Sequence, residues 1–189
     1  MSEQSSFAKS KYQVGLIGVG VMGEALISGL ISSRFPKAQI VFTEKRAERA
    51  REISSKYGAR EVELAELAKT SDVVLLVVKP QDLEQLLTSL GAHLNKNAAL
   101  VSFAAGKTTN FVNGIVGPNI SVIRVMPNTP SMIGEGMAGV FSEDTAAAQL
   151  VDRLFSGVGE VVILDRESDI DIVTAVSGSG PAYVFSFIE

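Results

Sequence analysis

Val14-Gly15-Leu16-Ile17-Gly18-Val19-Gly20-Val21-Met22-Gly23-Glu24 decides the fold of this chain. The apolar residues Val14, Leu16 and Ile17 run straight into Gly18-Val19-Gly20-Val21-Met22-Gly23, and Glu24 to Ile31 then carries apolar side chains at helical spacing. Strand, glycine turn, helix is the context that gives a G-x-G-x-x-G match its meaning. Gly18 would make the tight turn, Gly20 would let the backbone approach a pyrophosphate, and Gly23 would allow close packing of helix on strand. The free N–H groups and the positive dipole end of the helix would then hold the phosphates. The plainer account is a tight strand–helix turn without a ligand; it keeps the fold and drops only the phosphate.

Downstream, Pro36 marks a break and Gln39–Thr43 predicts a second strand, ending in Glu44-Lys45-Arg46. An acid about 20 residues past the glycine motif is where the ribose hydroxyls of NAD(H) are held. Lys45 and Arg46 stand beside it, and a guanidinium suits the 2′-phosphate of NADP(H). The two cofactors stay open at this point, as does the plainer account of a charged first turn for a helix over 47–57.

Gly58 is placed to stop that helix. A short edge piece (59–62) and a helix (64–69) lead to Val73–Val78, a continuous aliphatic run of the kind found in parallel strands buried on both faces. It ends at Lys79-Pro80-Gln81, with Pro80 suited to the first turn of a helix over 82–90. Ala98–Phe103 is the next strand, ending in Ala104-Ala105-Gly106, followed by a helix over 108–116. Ile120–Val125 runs into Met126-Pro127-Asn128-Thr129-Pro130. Strands alternating with helices predict an α/β doubly wound, Rossmann-like, mostly parallel sheet, with ligands beyond the carboxyl ends of the strands. The loops there are GVGVMG, EKR, VKPQ, AAG and MPNTP.

Beyond Pro130 the pattern shortens. A strand over 138–141, a helix over 145–155 capped by Ser142 or Asp144, and a strand over 160–164 would extend the sheet edge, with room for an antiparallel piece. The acidic stretch Asp165–Asp171 reads as a solvated turn. Ala175 to Tyr183 then opens a last helix that is apolar nearly all round at Val184, Phe185, Phe187 and Ile188. Such a helix needs burial, so further protein or a partner chain is expected to cover it, and this chain is expected to self-associate weakly. The domain division that follows is a tail over 1–12, a dinucleotide-binding domain over 13–172 and the start of a second, helical domain over 173–189.

Composition narrows the class. The chain has 189 residues, a net charge of −4, 46% hydrophobic residues and no cysteine. The basic residues form no long run, which speaks against a nucleic-acid surface. No stretch approaches the ~20 apolar residues needed to cross a bilayer, and the polar N-terminus lacks the apolar core of a signal peptide. A cysteine-free chain fits a cytoplasmic setting. With the single histidine, His93, expected on the surface near a helix end, and no cysteine, no metal site is predicted. A metal-binding role for Asp165, Asp169 and Asp171 is weaker than the surface-turn reading.

Four pieces together resemble the pyrroline-5-carboxylate reductase family: GVGVMGE at 18–24, VKPQ at 78–81, RVMPNTP at 124–130 with Gly134-Glu135-Gly136, and AVSGSGPAYVF at 175–185. The first is shared by many dehydrogenases; the last two, in this order and spacing, are specific. The resemblance implies reduction of a cyclic imine to L-proline, the last step of proline biosynthesis, with NADP(H), or NAD(H), as hydride donor. By position it puts pyrophosphate on Val19–Gly23 and the adenosine ribose near Thr43–Lys45. The rest of the cofactor would lie along Val78, Lys79 and Pro80 and along Ala104, Ala105 and Gly106, with Asn128 and Thr129 beside nicotinamide and substrate. Ser177–Gly180 would form the entry to a helical domain through which the family's subunits associate as homo-oligomers. The chain ends within the first helix of that domain, so turnover by this chain alone stays open. No catalytic residue is assigned: the cofactor carries the hydride and the protein supplies orientation and electrostatics. Two other readings stand beside this one, a non-catalytic dinucleotide-binding module and a reductase of the 3-hydroxyacid dehydrogenase type.

Overall fold

The computed structural model describes residues 12–189. The tail expected over 1–12 lies, apart from Tyr12, outside the described residues. The first six strands are β1 (Val14–Ile17), β2 (Ile40–Thr43), β3 (Arg60–Glu61), β4 (Val73–Leu76), β5 (Ala99–Ser102) and β6 (Ser121–Met126). They lie side by side in the order β3-β2-β1-β4-β5-β6, all parallel. β7 (Gly136–Phe141) joins β6 antiparallel, and β8 (Gly159–Ile163) pairs with β7 in parallel. The mostly parallel sheet and its antiparallel extension match the expectation.

Alternation along the strands builds two cores. Leu16, Phe42, Leu75, Val101, Ile123 and Val125 face helices α1 (Val21–Ser32), α2 (Ala47–Tyr57) and α6 (Thr145–Phe155), meeting Leu26, Ile27, Ile53, Val151 and Leu154. The neighbouring residues Ile17, Val41, Val74, Leu76 and Leu100 face α3 (Leu64–Thr70), α4 (Leu83–Gly91) and α5 (Thr109–Val116), meeting Leu67, Leu83, Leu87, Leu90 and Val112. Covering helices on both faces are what make the continuous aliphatic runs possible.

The helix ends follow local chemistry. Gly58 closes α2 in the left-handed conformation, φ 72°. Asp144, rather than Ser142, caps α6, accepting from the N–H groups of Ala146 (3.0 Å) and Ala147 (3.2 Å). Ser142 instead bonds the Val122 carbonyl and the Asp144 N–H. Pro80 differs from expectation: it sits in a turn closed by Asp82 N–H to Lys79 O, and α4 begins only at Leu83. After β8 come α7 (Asp169–Val173), a π-helical turn over Thr174–Gly178 and α8 (Gly180–Ile188). None of the residues of α8 is buried, and Phe187 is 92% exposed. Among the described residues no helix is long and apolar enough to cross a membrane.

Candidate functional site

Strand order reverses its progression between β1 and β4, since the chain first winds outward through β2 and β3 and then returns. In open α/β sheets a crevice opens at that switch point, beyond the carboxyl ends of the strands. The glycine turn lies there. Gly18 has φ 89°, and a Cβ at this position would stand 2.5 Å from the Val77 carbonyl oxygen, so the turn is packed on the loop after β4. A Cβ on Gly23 would press on the Gly18 carbonyl oxygen, whereas one on Gly20 would meet nothing within 4 Å. Two glycines therefore serve packing and the middle one leaves an open cradle. The first bond of α1 runs from the Glu24 N–H to Gly20 O (2.9 Å), so the N–H groups of Val21, Met22 and Gly23 have no acceptor in a preceding helical turn. Such a terminus fits an anionic phosphate, by its donors and by its dipole.

The other predicted residues gather at the same edge. Thr43 closes β2 and its carbonyl accepts from the Gly18 N–H (3.0 Å). Val78, Lys79 and Pro80 follow β4; Ala104, Ala105 and Gly106 follow β5. Asn128 and Thr129 follow β6, so the predicted residues line up along adjacent strand ends in one row.

Glu44 is more closely engaged than its sequence position indicated. Its side chain is 9% exposed and turns back into the glycine turn, accepting from the Val19 N–H (3.1 Å), the Arg46 N–H (3.1 Å) and the Arg46 Nε (3.2 Å). Burial pushes its carboxyl up, but these donors outweigh burial and hold it below the usual carboxylate range. Lys45 and Arg46 stay exposed at the rim.

A second cluster lies under the turn. Arg49, on the first turn of α2, donates from Nε to Val19 O (2.8 Å) and from Nη2 to Gly20 O (3.4 Å). The same guanidinium pairs with Glu24 and, through Nη1, with Glu52 (2.8 Å). Glu24 also accepts from Lys56 Nζ (2.8 Å) and Tyr57 OH (2.9 Å). The Lys56 bond foremost, against some desolvation and with help from Arg49 and Tyr57, holds the Glu24 carboxyl at about 2. Nothing in the local sequence marks Arg49, because Glu24, its partner, lies 25 residues earlier.

At the far end of the row, Asn128 joins two segments. Its Oδ1 accepts from the Met137 N–H (3.0 Å) and its Nδ2 donates to Ser177 Oγ (3.2 Å). The stretch 165–171 is largely exposed, as expected, but two of its acids are engaged with the sheet and α7 begins at Asp169. Glu167 and Asp171 pair with Arg124, which is 3% exposed on β6, at 3.2 and 3.4 Å. Glu167 also accepts from the Thr109 N–H (2.7 Å) and hydroxyl (3.2 Å) at the start of α5. A buried guanidinium needs carboxylate partners, and this acidic stretch supplies them. Among the described residues no group of acidic or histidine side chains is arranged to hold a metal ion, and His93 is exposed just beyond α4.

A parallel sheet with a glycine turn at its switch point, an open cradle at Gly20 and a row of small, polar strand-end loops is the architecture of the Rossmann-like, dinucleotide-binding fold class. Residues 13–106 match the family model "NADP oxidoreductase coenzyme F420-dependent", and residues 167–189 match "Pyrroline-5-carboxylate reductase dimerisation". A pyrroline-5-carboxylate reductase of Corynebacterium melassecola is 38% identical over 183 residues, covering 93% of this chain and 67% of that protein. The structure of a pyrroline-5-carboxylate reductase from Coxiella burnetii superposes with a TM-score of 0.88 at 29% identity, over 94% of this chain and 68% of that one. The Plasmodium falciparum enzyme, solved with NADP bound, gives a TM-score of 0.83 at 28% identity, over 94% and 66%.

The chain belongs to the pyrroline-5-carboxylate reductase family, as its motifs indicated. It spans about two thirds of the length of the curated relatives it matches. The NADP-bound relative and the NADP oxidoreductase model support NADP(H), the first of the two cofactors that the resemblance implies.

Proposed function

We propose that this chain is the NADP(H)-binding part of an oxidoreductase that reduces 1-pyrroline-5-carboxylate to L-proline. The observation that carries it is the open cradle at Gly20, set between two glycines whose missing side chains are filled by packing. Of the expected pyrophosphate segment Val19–Gly23, the N–H groups of Gly20 to Gly23 at the start of α1 would hold the pyrophosphate; the Val19 N–H is already taken by the Glu44 carboxylate (3.1 Å). Glu44, Lys45 and Arg46 would meet the adenosine ribose and its 2′-phosphate. Val78–Pro80 and Ala104–Gly106 would flank the middle of the cofactor, and Asn128 and Thr129 would face the nicotinamide end and the imine. When bound, NADPH supplies a hydride for the carbon of a C=N bond. The chain's part is to hold that cofactor in one orientation and to shape the surface the imine meets. The bond between Asn128 and Ser177 supports this placement, because it joins the last strand-end loop of the row to the segment that leads into α8.

The match to the dimerisation model supports a homo-oligomer. The exposed Tyr183, Phe185, Phe187 and Ile188 of α8 offer the apolar surface such assembly buries. A cysteine-free composition fits the cytoplasm. The test is titration with NADPH and NADH, followed by cofactor oxidation after adding the cyclic imine, using the chain alone and the chain extended by the part that the longer relatives possess. Saturable binding with imine-dependent oxidation is expected of the extended protein. Binding without oxidation there would leave a dinucleotide-binding module, and binding of neither cofactor would overturn the proposal.

A further inference from the structure

We infer that Arg49 is a positioning residue for the pyrophosphate loop, acting from beneath through the loop's carbonyl groups. The inference rests on the cofactor reading above. A trans peptide holds its C=O and the following N–H on opposite sides of one plane. Arg49 Nε grips the Val19 carbonyl and Nη2 the Gly20 carbonyl. Holding the Val19 oxygen on the α2 side turns the Gly20 N–H to the opposite side, where the cradle is open, while the Gly20 oxygen is set by the first bond of α1, from the Glu24 N–H (2.9 Å), with the Arg49 contact in addition.

Arg49 suits this task better than any other residue type, because its planar fork carries several donors in fixed directions. Its side chain is only 15% exposed, and its charge is met by Glu24 and Glu52. It is thus committed inward and serves the phosphates through the backbone rather than as a direct charge. Glu24 completes the arrangement. It stands in the first turn of α1, where a carboxylate is favoured by the helix dipole. Its links to Arg49, Lys56 and Tyr57 tie the start of α1 to both ends of α2. Lys56 and Arg49 also neutralise a carboxylate that would otherwise repel the incoming phosphates.

The separation of charge pairing from carbonyl grip sets the experiment. Arg49→Met removes both; Arg49→Lys keeps a cation for Glu24 and Glu52 but cannot fork over two carbonyls. Two readouts are taken on the parent and both variants: affinity for NADPH and NADH, and backbone 15N order parameters of Gly20 and Val21 without cofactor. The expected result for Arg49→Met is a weakening of about tenfold for both cofactors alike, the scale of a lost charged hydrogen bond. The order parameters should fall from the rigid range near 0.85 to below about 0.6, and only in the glycine turn. Arg49→Lys should keep the parent's thermal stability and still show the looser turn and weaker binding. Binding within about twofold of the parent in Arg49→Lys, with Gly20 and Val21 still rigid, would overturn the inference. So would a loss of order spread evenly through α1 and α2 in both variants, which marks a purely structural role. If the parent binds neither cofactor, the functional reading fails, while the order parameters still decide what Arg49 does to the turn.

Discussion

The two ends of the row of strand-end loops use buried charge in opposite ways. At the glycine turn, Arg49 faces backbone carbonyls and two carboxylates, and the adjoining cradle is left open. At the β6 end, Arg124 faces two side-chain carboxylates, Glu167 and Asp171, and through Glu167 it reaches the start of α5. The first arrangement orients backbone donors outward, toward a ligand. The second locks three segments of the chain together. Buried arginine alone therefore does not mark a site; the groups that it fixes do.

This contrast can be broken at several points. The largest effect is expected from Gly18→Ala, which combines φ 89° with a Cβ 2.5 Å from the Val77 carbonyl. Chemical denaturation should show a loss of about 4 kcal/mol. A loss below about 1 kcal/mol would mean that the turn can relax and does not define the crevice. Arg124→Met comes next. It leaves Glu167 and Asp171 without their guanidinium, but both keep access to water, so a cost near the lower end for breaking a buried pair, about 3 kcal/mol, is expected. For a chain of this size, calorimetry would record this as a fall in Tm of roughly 6–12 °C.

The pH dependence of stability sharpens the other side of the comparison. The Glu24 carboxyl is held at about 2 in the folded chain, against an ordinary value of 4.5. Between those values the unfolded chain binds the extra proton, so stability rises with pH there. The contribution of Glu24 is full above about 4.5 and is lost as pH falls toward 2. Glu24→Gln should flatten that part of the stability profile while leaving the slope above pH 5 unchanged; an unaltered acid limb would mean the cluster around Arg49 does not couple α1 to α2. Asp144→Ala, which removes the cap of α6 far from either arginine, should cost only about 1 kcal/mol by the same denaturation measurement.

The parts legible in the sequence are those where one local rule suffices. The glycine turn, the aliphatic parallel strands and the cap at Asp144 all follow from residue type and spacing. Boundaries moved where tertiary bonding decides them: Val77 and Val78, expected in the strand, lie beyond β4, and Pro80 lies ahead of α4. Arg49 was invisible because α2, AERAREISSKY, reads as a solvated charged helix, and its partners on the glycine turn are distant in sequence. Arg124 did leave a signal. A single arginine inside the run ISVIRV must either reach water or find an acid, but its partners Glu167 and Asp171 lie 43 and 47 residues on, so the sequence shows the need and not which acids meet it.

The central claim is that the open face of the glycine turn receives the cofactor's pyrophosphate, and Gly20→Ala tests it most directly. A Cβ there meets no protein atom within 4 Å, so the fold should tolerate it, with Tm within a degree or two of the parent's. The same Cβ would stand in the phosphate cradle. NADPH titration of the two proteins side by side should therefore show about a tenfold or greater loss of affinity in the variant. Equal affinity at equal stability would contradict the account and place the cofactor elsewhere.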